Sequence, residues 1–395
     1  MRFHVLAVPH AITSLDYIAC AFTQKVLKWC RMMNSSESHE VFHYGNELSE
    51  VECTEHISVT TYKDLSDSLD WHIEQGKVPA GYNPLEDGFI FNQQDPVNVA
   101  FRNNAPNEIR KRYQPDDFLL CFWGTGHLGI VEQLNDLSDL HVVEPGIGYP
   151  QTFSQYRVFE SYAKLHLVRG QQAVRYDNGI SGNMPYTTPL WFDEVIPNYW
   201  DPEDFKSKEK PTDDMFFIGR LVNTKGLEIA LHLSKETGRK LRIAGQGSIE
   251  DIEYFEVNCD YEFIGVVDQQ TRNNEMSRAY LGLTPSLFIE PFCGTHAEFL
   301  FNKTPILTTN WGVFSETVIN GYNGYKCTAF SGGNSLDPSF VWGHDNIDKI
   351  NRDNCYKYAI DHFSLEVVRK LYENYFERIL NYNQSLRQNK HPFFY

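Results

Sequence analysis

Short apolar runs, each followed by a loop and then by a stretch of helical pattern, recur along this chain in two blocks. That alternation restricts the fold more than any other feature. In the first block, Phe3-His4-Val5-Leu6-Ala7-Val8 reads as a buried strand, Pro9 to Ser14 as a loop and about Leu15 to Met33 as a long helix. His56 to Thr61, Phe118 to Trp123 and Leu140 to Val143 are further strands of the same reading. The segment 81–107, rich in Asn, Pro and Gln, reads as an elaborated loop, the kind of element that carries specificity. A second block follows Val195-Ile196-Pro197-Asn198-Tyr199-Trp200-Asp201-Pro202 and the charged run 206–214. It alternates strands at Met215 to Ile218, Lys240 to Ala244, Glu262 to Val266 and Leu281 to Thr284 with helices at Gly226 to Thr237, Arg272 to Ala279 and Thr295 to Phe301. Such alternation demands parallel sheets covered by helices. The expected fold class is α/β: two Rossmann-like, doubly wound domains facing a central cleft, where ligands of open sheets bind. The expected division is 1–197, 198–375 and a C-terminal helix and tail at 376–395, free by its pattern to pack back on the N-terminal domain.

The 395 residues, 42% of them hydrophobic, are enough for two or three cored domains. The charge balance of 35 basic against 52 acidic residues, net −17, opposes general nucleic-acid binding and attraction to anionic membranes. No run approaches the roughly 20 apolar residues of a membrane span, and the N-terminus lacks a secretory pattern, so a soluble, unexported chain is expected. The eight cysteines show no CxxC grouping, which fits reduced thiols in a cytoplasmic compartment. Glycosylation triplets at Asn34, Asn302 and Asn383 are short enough to arise by chance.

Chemistry concentrates in Leu287-Phe288-Ile289-Glu290-Pro291-Phe292-Cys293-Gly294-Thr295-His296-Ala297-Glu298. Glu290 is expected to end a strand, and the turn after it opens a helix whose first N–H groups suit an anion. Glu298, one turn into that helix, is placed to accept hydrogen bonds from a ribose diol. Thr295-x-x-Glu298 equally reads as a capping box that touches no ligand. In Gly219-Arg220-Leu221-Val222-Asn223-Thr224-Lys225-Gly226, Arg220 stands at a strand end and Lys225 at a helix start, both suited to a diphosphate or simply solvated. Gly245-Gln246-Gly247 is a fragment of a dinucleotide fingerprint without its third glycine and acidic residue.

Taken in order and spacing, the Glu-x7-Glu pair, the Gly-Arg-x4-Lys-Gly segment and the Ile-Pro-Asn-Tyr-Trp-Asp linker running to Phe205 resemble the retaining GT-B glycosyltransferases, specifically the GT4-like family. The resemblance is specific over about 190–330 and continues weakly through Asp361-His362-Phe363-Ser364. It implies a GT-B architecture, with an N-terminal acceptor domain and a C-terminal domain that binds a nucleotide-sugar donor. It further implies that Glu290 contacts the donor sugar, that Glu298 holds the ribose, and that Arg220 and Lys225 neutralise the diphosphate. Backbone N–H groups of Phe292, Cys293, Gly294 and Thr295 would hold sugar and phosphate, with base contacts near Gly245, Val266 and Val267. The sequence departs from the family at Pro291-Phe292-Cys293, where Gly-Phe-Gly is usual, at Tyr199, where the linker usually has glycine, and at Pro9-His10-Ala11-Ile12, in place of a glycine-rich loop. Where relatives have a histidine near the donor sugar, this chain offers Glu144 or His127. Each also has a plain structural reading, Glu144 as the cap of the turn after it. The stretch from Phe153 to Tyr162 resembles a motif of some superfamily members with no assignable role; Arg157 and Glu160 in it are spaced to pair.

The implied reaction is retaining transfer of a sugar from a nucleoside-diphosphate-sugar to the hydroxyl of a glycan, lipid-linked or small-molecule acceptor. No Asp-x-Asp occurs, so no metal and no other cofactor is expected. Alternatives in other classes are a GT-B-shaped nucleotide-sugar epimerase or phosphorylase, a non-catalytic sugar-nucleotide-binding protein, and a glycosyltransferase acting on modified DNA bases.

Overall fold

A computed structural model describes residues 1–17, 20–176, 192–207, 209–249, 258–328 and 336–388. The chain forms two compact units. Unit 1 comprises Met1–Phe159, Gly170–Ile196 and Arg369–Tyr395, and unit 2 comprises Glu160–Arg169 and Pro197–Val368. This division differs from the sequence expectation in assigning Glu160–Arg169 to unit 2 and in starting the returning C-terminal segment at Arg369. Residues 389–395 of the expected tail lie outside the described residues.

Unit 1 is built on strands β1 (Arg2–Leu6), β2 (Glu40–Asn46), β3 (Glu55–Thr60), β4 (Phe118–Cys121), β5 (His141–Ile147), β6 (Tyr156–Phe159) and β7 (Asp193–Val195). They pair in parallel in the order β3-β2-β1-β4-β5-β6-β7. The central strands are buried on both faces, which is why they read as unbroken apolar runs. Phe3 and Phe118, on neighbouring strands, meet Trp29 from the helix Ala21–Asn34 and Phe376 from the helix Leu365–Arg387; Phe118 and Phe376 lie 4.7 Å apart. Two sequence expectations change here. Half of the supposed loop 81–107 is the helix Pro96–Arg112, started by Pro96 and capped by Asp95, whose carboxylate accepts from Asn98 N at 2.9 Å. The long helix expected from Leu15 is a single 3₁₀ turn at Leu15–Tyr17 and then the helix Ala21–Asn34, with residues 18 and 19 outside the described residues.

Unit 2 is built on strands β8 (Met215–Ile218), β9 (Leu241–Ala244), β10 (Tyr261–Phe263), β11 (Gly282–Thr284), β12 (Ile306–Thr309) and β13 (Gly324–Cys327). All pair in parallel, in the order β10-β9-β8-β11-β12-β13. Both units are thus Rossmann-like sheets, as expected. Strand order reverses between β8 and β11, so the chain leaving these neighbours departs toward opposite sides, and their carboxyl ends frame a crevice. Arg220 and Lys225 follow β8; Glu290 follows β11. Among the described residues, no helix is long and apolar enough to cross a membrane.

Candidate active site

The chain beyond β8 is shaped by two close backbone approaches. Gly219 N donates to Ala244 O at 3.1 Å, and a side chain at Gly245 would put its Cβ 1.7 Å from Gly219 O, so position 245 admits only glycine. Arg220, just past this crossing, is exposed, and its guanidinium has no partner among the described residues. A 3₁₀ turn, Asn223–Lys225, then leads through Gly226, at φ 73°, into the helix Leu227–Thr237. A Cβ at Gly226 would stand 2.0 Å from Pro285 O, so glycine here lets the β8 loop touch the β11 loop. That contact brings in Lys225. Its Nζ donates to Glu290 Oε1 at 2.6 Å and sits 4.7 Å from the centroid of the Phe288 ring.

Glu290 does not end a strand as expected. β11 stops at Thr284, and the carboxylate sits six residues later in an irregular segment. The segment is held at Ser286, whose carbonyl accepts from Thr309 Oγ1 at 2.7 Å and Trp311 Nε1 at 3.0 Å. Ser286 Oγ donates to Glu290 Oε1 at 2.8 Å, so this carboxylate, only 3% exposed, is satisfied by one cation and one hydroxyl. Phe292 turns inward and stacks on Trp200 at 5.7 Å. Cys293 follows at φ 64° and ψ 77°, a left-handed conformation unusual for a residue with a side chain. It caps the helix Gly294–Phe301 without a side-chain hydrogen bond to the helix's backbone N–H groups, and burial, with Glu290 nearby, pushes its thiol up to about 12.

The N–H groups of Gly294 and Thr295 open this helix with no acceptor among the described residues, as the first amides of a helix lack intrahelical partners. The capping-box alternative is not formed: the N-cap is Cys293, and Thr295 Oγ1 pairs with Cys293 Sγ at 3.3 Å. Glu298 Oε1 lies 3.8 Å from the Cβ position of Gly294, directed back along the helix start. Its Oε2 forms an ion pair with Arg272 but has no hydrogen-bond donor among the described residues. Val266 follows Gly265, whose carbonyl accepts from Gly245 N at 2.9 Å, and is 77% exposed; Val267 packs on the core of the unit.

The remaining candidates stand in unit 1. Glu144 lies within β5, fully buried, and accepts from Phe153 N (2.9 Å), Ser154 N (2.8 Å) and the Tyr149 hydroxyl (3.1 Å). Burial raises it to about 7 against those three donors. His127 is buried in the 3₁₀ turn Gly124–His127 with Nε2 3.0 Å from Ala7 O, and burial lowers it to about 4. Sequence reasoning passed over His296, which lies beside the turn 290–294. Its Nδ1 is 2.6 Å from Cys293 O, its ring packs among Phe292, Phe314 and Phe363, and burial lowers it to about 4, so it is neutral near pH 7.

Residues 201–331 match the family model described as glycosyl transferases group 1. Glycogen synthase of Mycobacterium tuberculosis is 32% identical over 124 residues, which are 29% of this chain and 30% of that protein. The aligned stretch is therefore less than a third of the curated relative. Over 96% of this chain the fold superposes on 98% of AviGT4, a glycosyltransferase involved in avilamycin A biosynthesis, with TM-score 0.62 and 16% identity. Anabaena HepE in complex with UDP and glucose matches over 95% of this chain and 98% of its own, with TM-score 0.57 and 13% identity. The fold is that of the GT-B glycosyltransferases.

Proposed function

We propose that this chain, whose residues 201–331 carry the glycosyl transferases group 1 signature on a GT-B fold, is a retaining, metal-independent glycosyltransferase. It moves a sugar from a nucleoside-diphosphate-sugar to an acceptor hydroxyl on a carbohydrate, lipid-linked or small-molecule acceptor. The observation that carries this reading is the Lys225 to Glu290 pair at 2.6 Å, beside a helix start whose first two N–H groups have no acceptor among the described residues. Cation, carboxylate and free amides together are what a diphosphate attached to a polyol needs. Arg220, Lys225 and the amides of Phe292 to Thr295 take the diphosphate, Glu290 the sugar hydroxyls, Glu298 the ribose, and Gly245 with Val266 and Val267 the base.

In the reaction, the bond between the anomeric carbon and the phosphate oxygen breaks, and both electrons leave with the diphosphate. The developing charge falls to the two cations and the helix tip, donors already oriented before the reaction. The acceptor oxygen bonds to the anomeric carbon on the face the phosphate leaves, and its proton passes to the departing phosphate oxygen. No step is routed through Glu144 or His127, whose ring and carboxylate bonds serve the backbone and turns of their own unit. The eight cysteines, all free, support a cytoplasmic setting.

The test is a thermal-shift panel of nucleoside diphosphates and their sugars, with UDP-glucose included because HepE was solved with UDP and glucose, followed by transfer assays with chelator present. Stabilisation by one base class, lost in Glu298→Ala, and turnover with chelator support the reading. No stabilisation by any donor contradicts it, and activity restored only by a divalent cation contradicts its metal-free part.

A further inference from the structure

The motif ending Phe159-Glu160-Ser161-Tyr162 has no role in the account above. Residues Glu160–Arg169 cluster with unit 2, and the helix Tyr162–Tyr176 begins among them. The first N–H groups of that helix need outside acceptors. Tyr162 N and Ala163 N donate to the two carboxylate oxygens of Glu316, at 2.9 and 2.6 Å, and Lys164 N donates to Ser161 Oγ at 3.1 Å. With its lone pair engaged there, the Ser161 hydroxyl directs its proton to Pro291 O at 2.7 Å. Ser161 is 1% exposed, so no water replaces that bond.

Pro291 is the residue after Glu290, and the turn it starts has little shape of its own. Pro291 supplies no N–H, and Cys293 holds a left-handed conformation that side chains resist. Such a conformation persists only where its surroundings over-determine it. Two neighbours supply the surroundings. Besides Ser161, the backbone of Gly312 comes close enough to the turn that a Cβ there would stand 3.1 Å from Glu290 N. Gly312 leads directly into the short helix Phe314–Thr317 that carries Glu316. The segment bearing Glu290 is therefore contacted by Gly312 at Glu290 and by Ser161 at Pro291, and Glu316 ties these two supports together.

We propose that Ser161, secured by Glu316, is a positioning residue of the donor turn: its hydroxyl fixes the Pro291 carbonyl and thereby the direction of Glu290 and of the Gly294 and Thr295 amides. The inference rests on the donor reading above and adds a determinant beyond the diphosphate and sugar contacts. Without the Ser161 bond the turn relaxes, the sugar is misaligned, and the diphosphate, still gripped by Arg220 and Lys225, is affected less.

Ser161→Ala, Ser161→Thr and Glu316→Ala are compared with wild type by titration with UDP, ADP and GDP and with their glucose conjugates, and by amide hydrogen exchange at His296. In Ser161→Ala the sugar conjugate is expected to lose at least about fivefold more affinity than the free diphosphate, and transfer to lose kcat more than KM. Exchange at His296, whose N–H donates to Cys293 O at 3.1 Å, is expected to speed up about tenfold, with Ser161→Thr restoring wild-type values and Glu316→Ala repeating the defect. Equal losses for diphosphate and conjugate, or unchanged exchange in both alanine variants, overturn the proposal. If wild type binds none of these nucleotides, the donor reading itself falls. Exchange then decides the brace alone: acceleration in both alanine variants upholds it, and its absence overturns it.

Discussion

Lys225 and Glu290 illustrate how much one pair decides. The carboxylate is nearly buried while the ammonium remains partly open, so the pair is stabilising only as long as both partners are present. Lys225→Ala leaves Glu290 with the Ser286 hydroxyl as its one hydrogen-bond donor among the described residues, and is expected to cost about 1–3 kcal/mol in chemical denaturation. Glu290→Gln keeps the shape and both contacts but removes the charge. It is expected to retain nucleoside-diphosphate affinity while transfer falls about 100-fold, as when one preorganised transition-state contact is lost. Cys293 is the opposite case, a residue whose backbone works against its side chain. Cys293→Gly is expected to melt within a few degrees of wild type, whereas Cys293→Val, β-branched at φ 64°, is expected to lose about 2 kcal/mol or more.

At the scale of elements, the site is two loops from adjacent strands pressed together by glycines. Gly245→Ala would place a methyl group 1.7 Å from Gly219 O, a backbone atom unable to step aside, and Gly226→Ala one at 2.0 Å from Pro285 O. Each is expected to lower stability by about 2–4 kcal/mol in urea unfolding, and Gly226→Ala to weaken nucleotide binding as well, because it separates Lys225 from Glu290. Much of this arrangement was legible beforehand. β8 and the helix after it follow directly from the apolar run Met215–Ile218 and the Gly226 break. The stretch before Glu290 was misread because Leu287-Phe288-Ile289 looks like a strand. In the structure, Leu287 N instead donates to Thr224 O, and Phe288 and Ile289 are exposed beside the site. The helix Pro96–Arg112 was hidden by its own composition: Asn and Arg interrupt its apolar face and Pro106 lies inside it. The edge strand β7 carries Asp193 and Glu194 in three residues, which no periodicity would reveal. The brace at Ser161 needs tertiary contact with Pro291, 130 residues away, and is invisible to local pattern.

For the molecule as a whole, burial of neutral histidines sets the response to acid. His10, His43, His127 and His296 are lowered to about 4, 3, 4 and 4, chiefly by burial, so between pH 4.5 and 6.5 the unfolded chain binds protons at these positions that the folded chain does not. Their contribution is complete above pH 6.5 and is lost as pH falls. Glu144, raised to about 7, acts in the opposite sense, since the folded chain keeps a proton the unfolded chain has released. Four groups against one leave stability rising with pH near pH 5. Denaturation midpoints at pH 5, 5.5 and 6 check this, and a flat or falling series contradicts it. The two parallel sheets follow from strand-helix alternation, whereas their strand order, and with it the switch point between β8 and β11, is set by the pairing seen in the structure. The chemistry they frame depends on contacts across loops. The most direct test of that chemistry is calorimetric titration of UDP, ADP and GDP into wild type, Lys225→Ala and Arg220→Ala. The account predicts that one diphosphate binds wild type and binds each variant at least about tenfold more weakly. Equal affinity for all three proteins would show that these cations do not face a pyrophosphate.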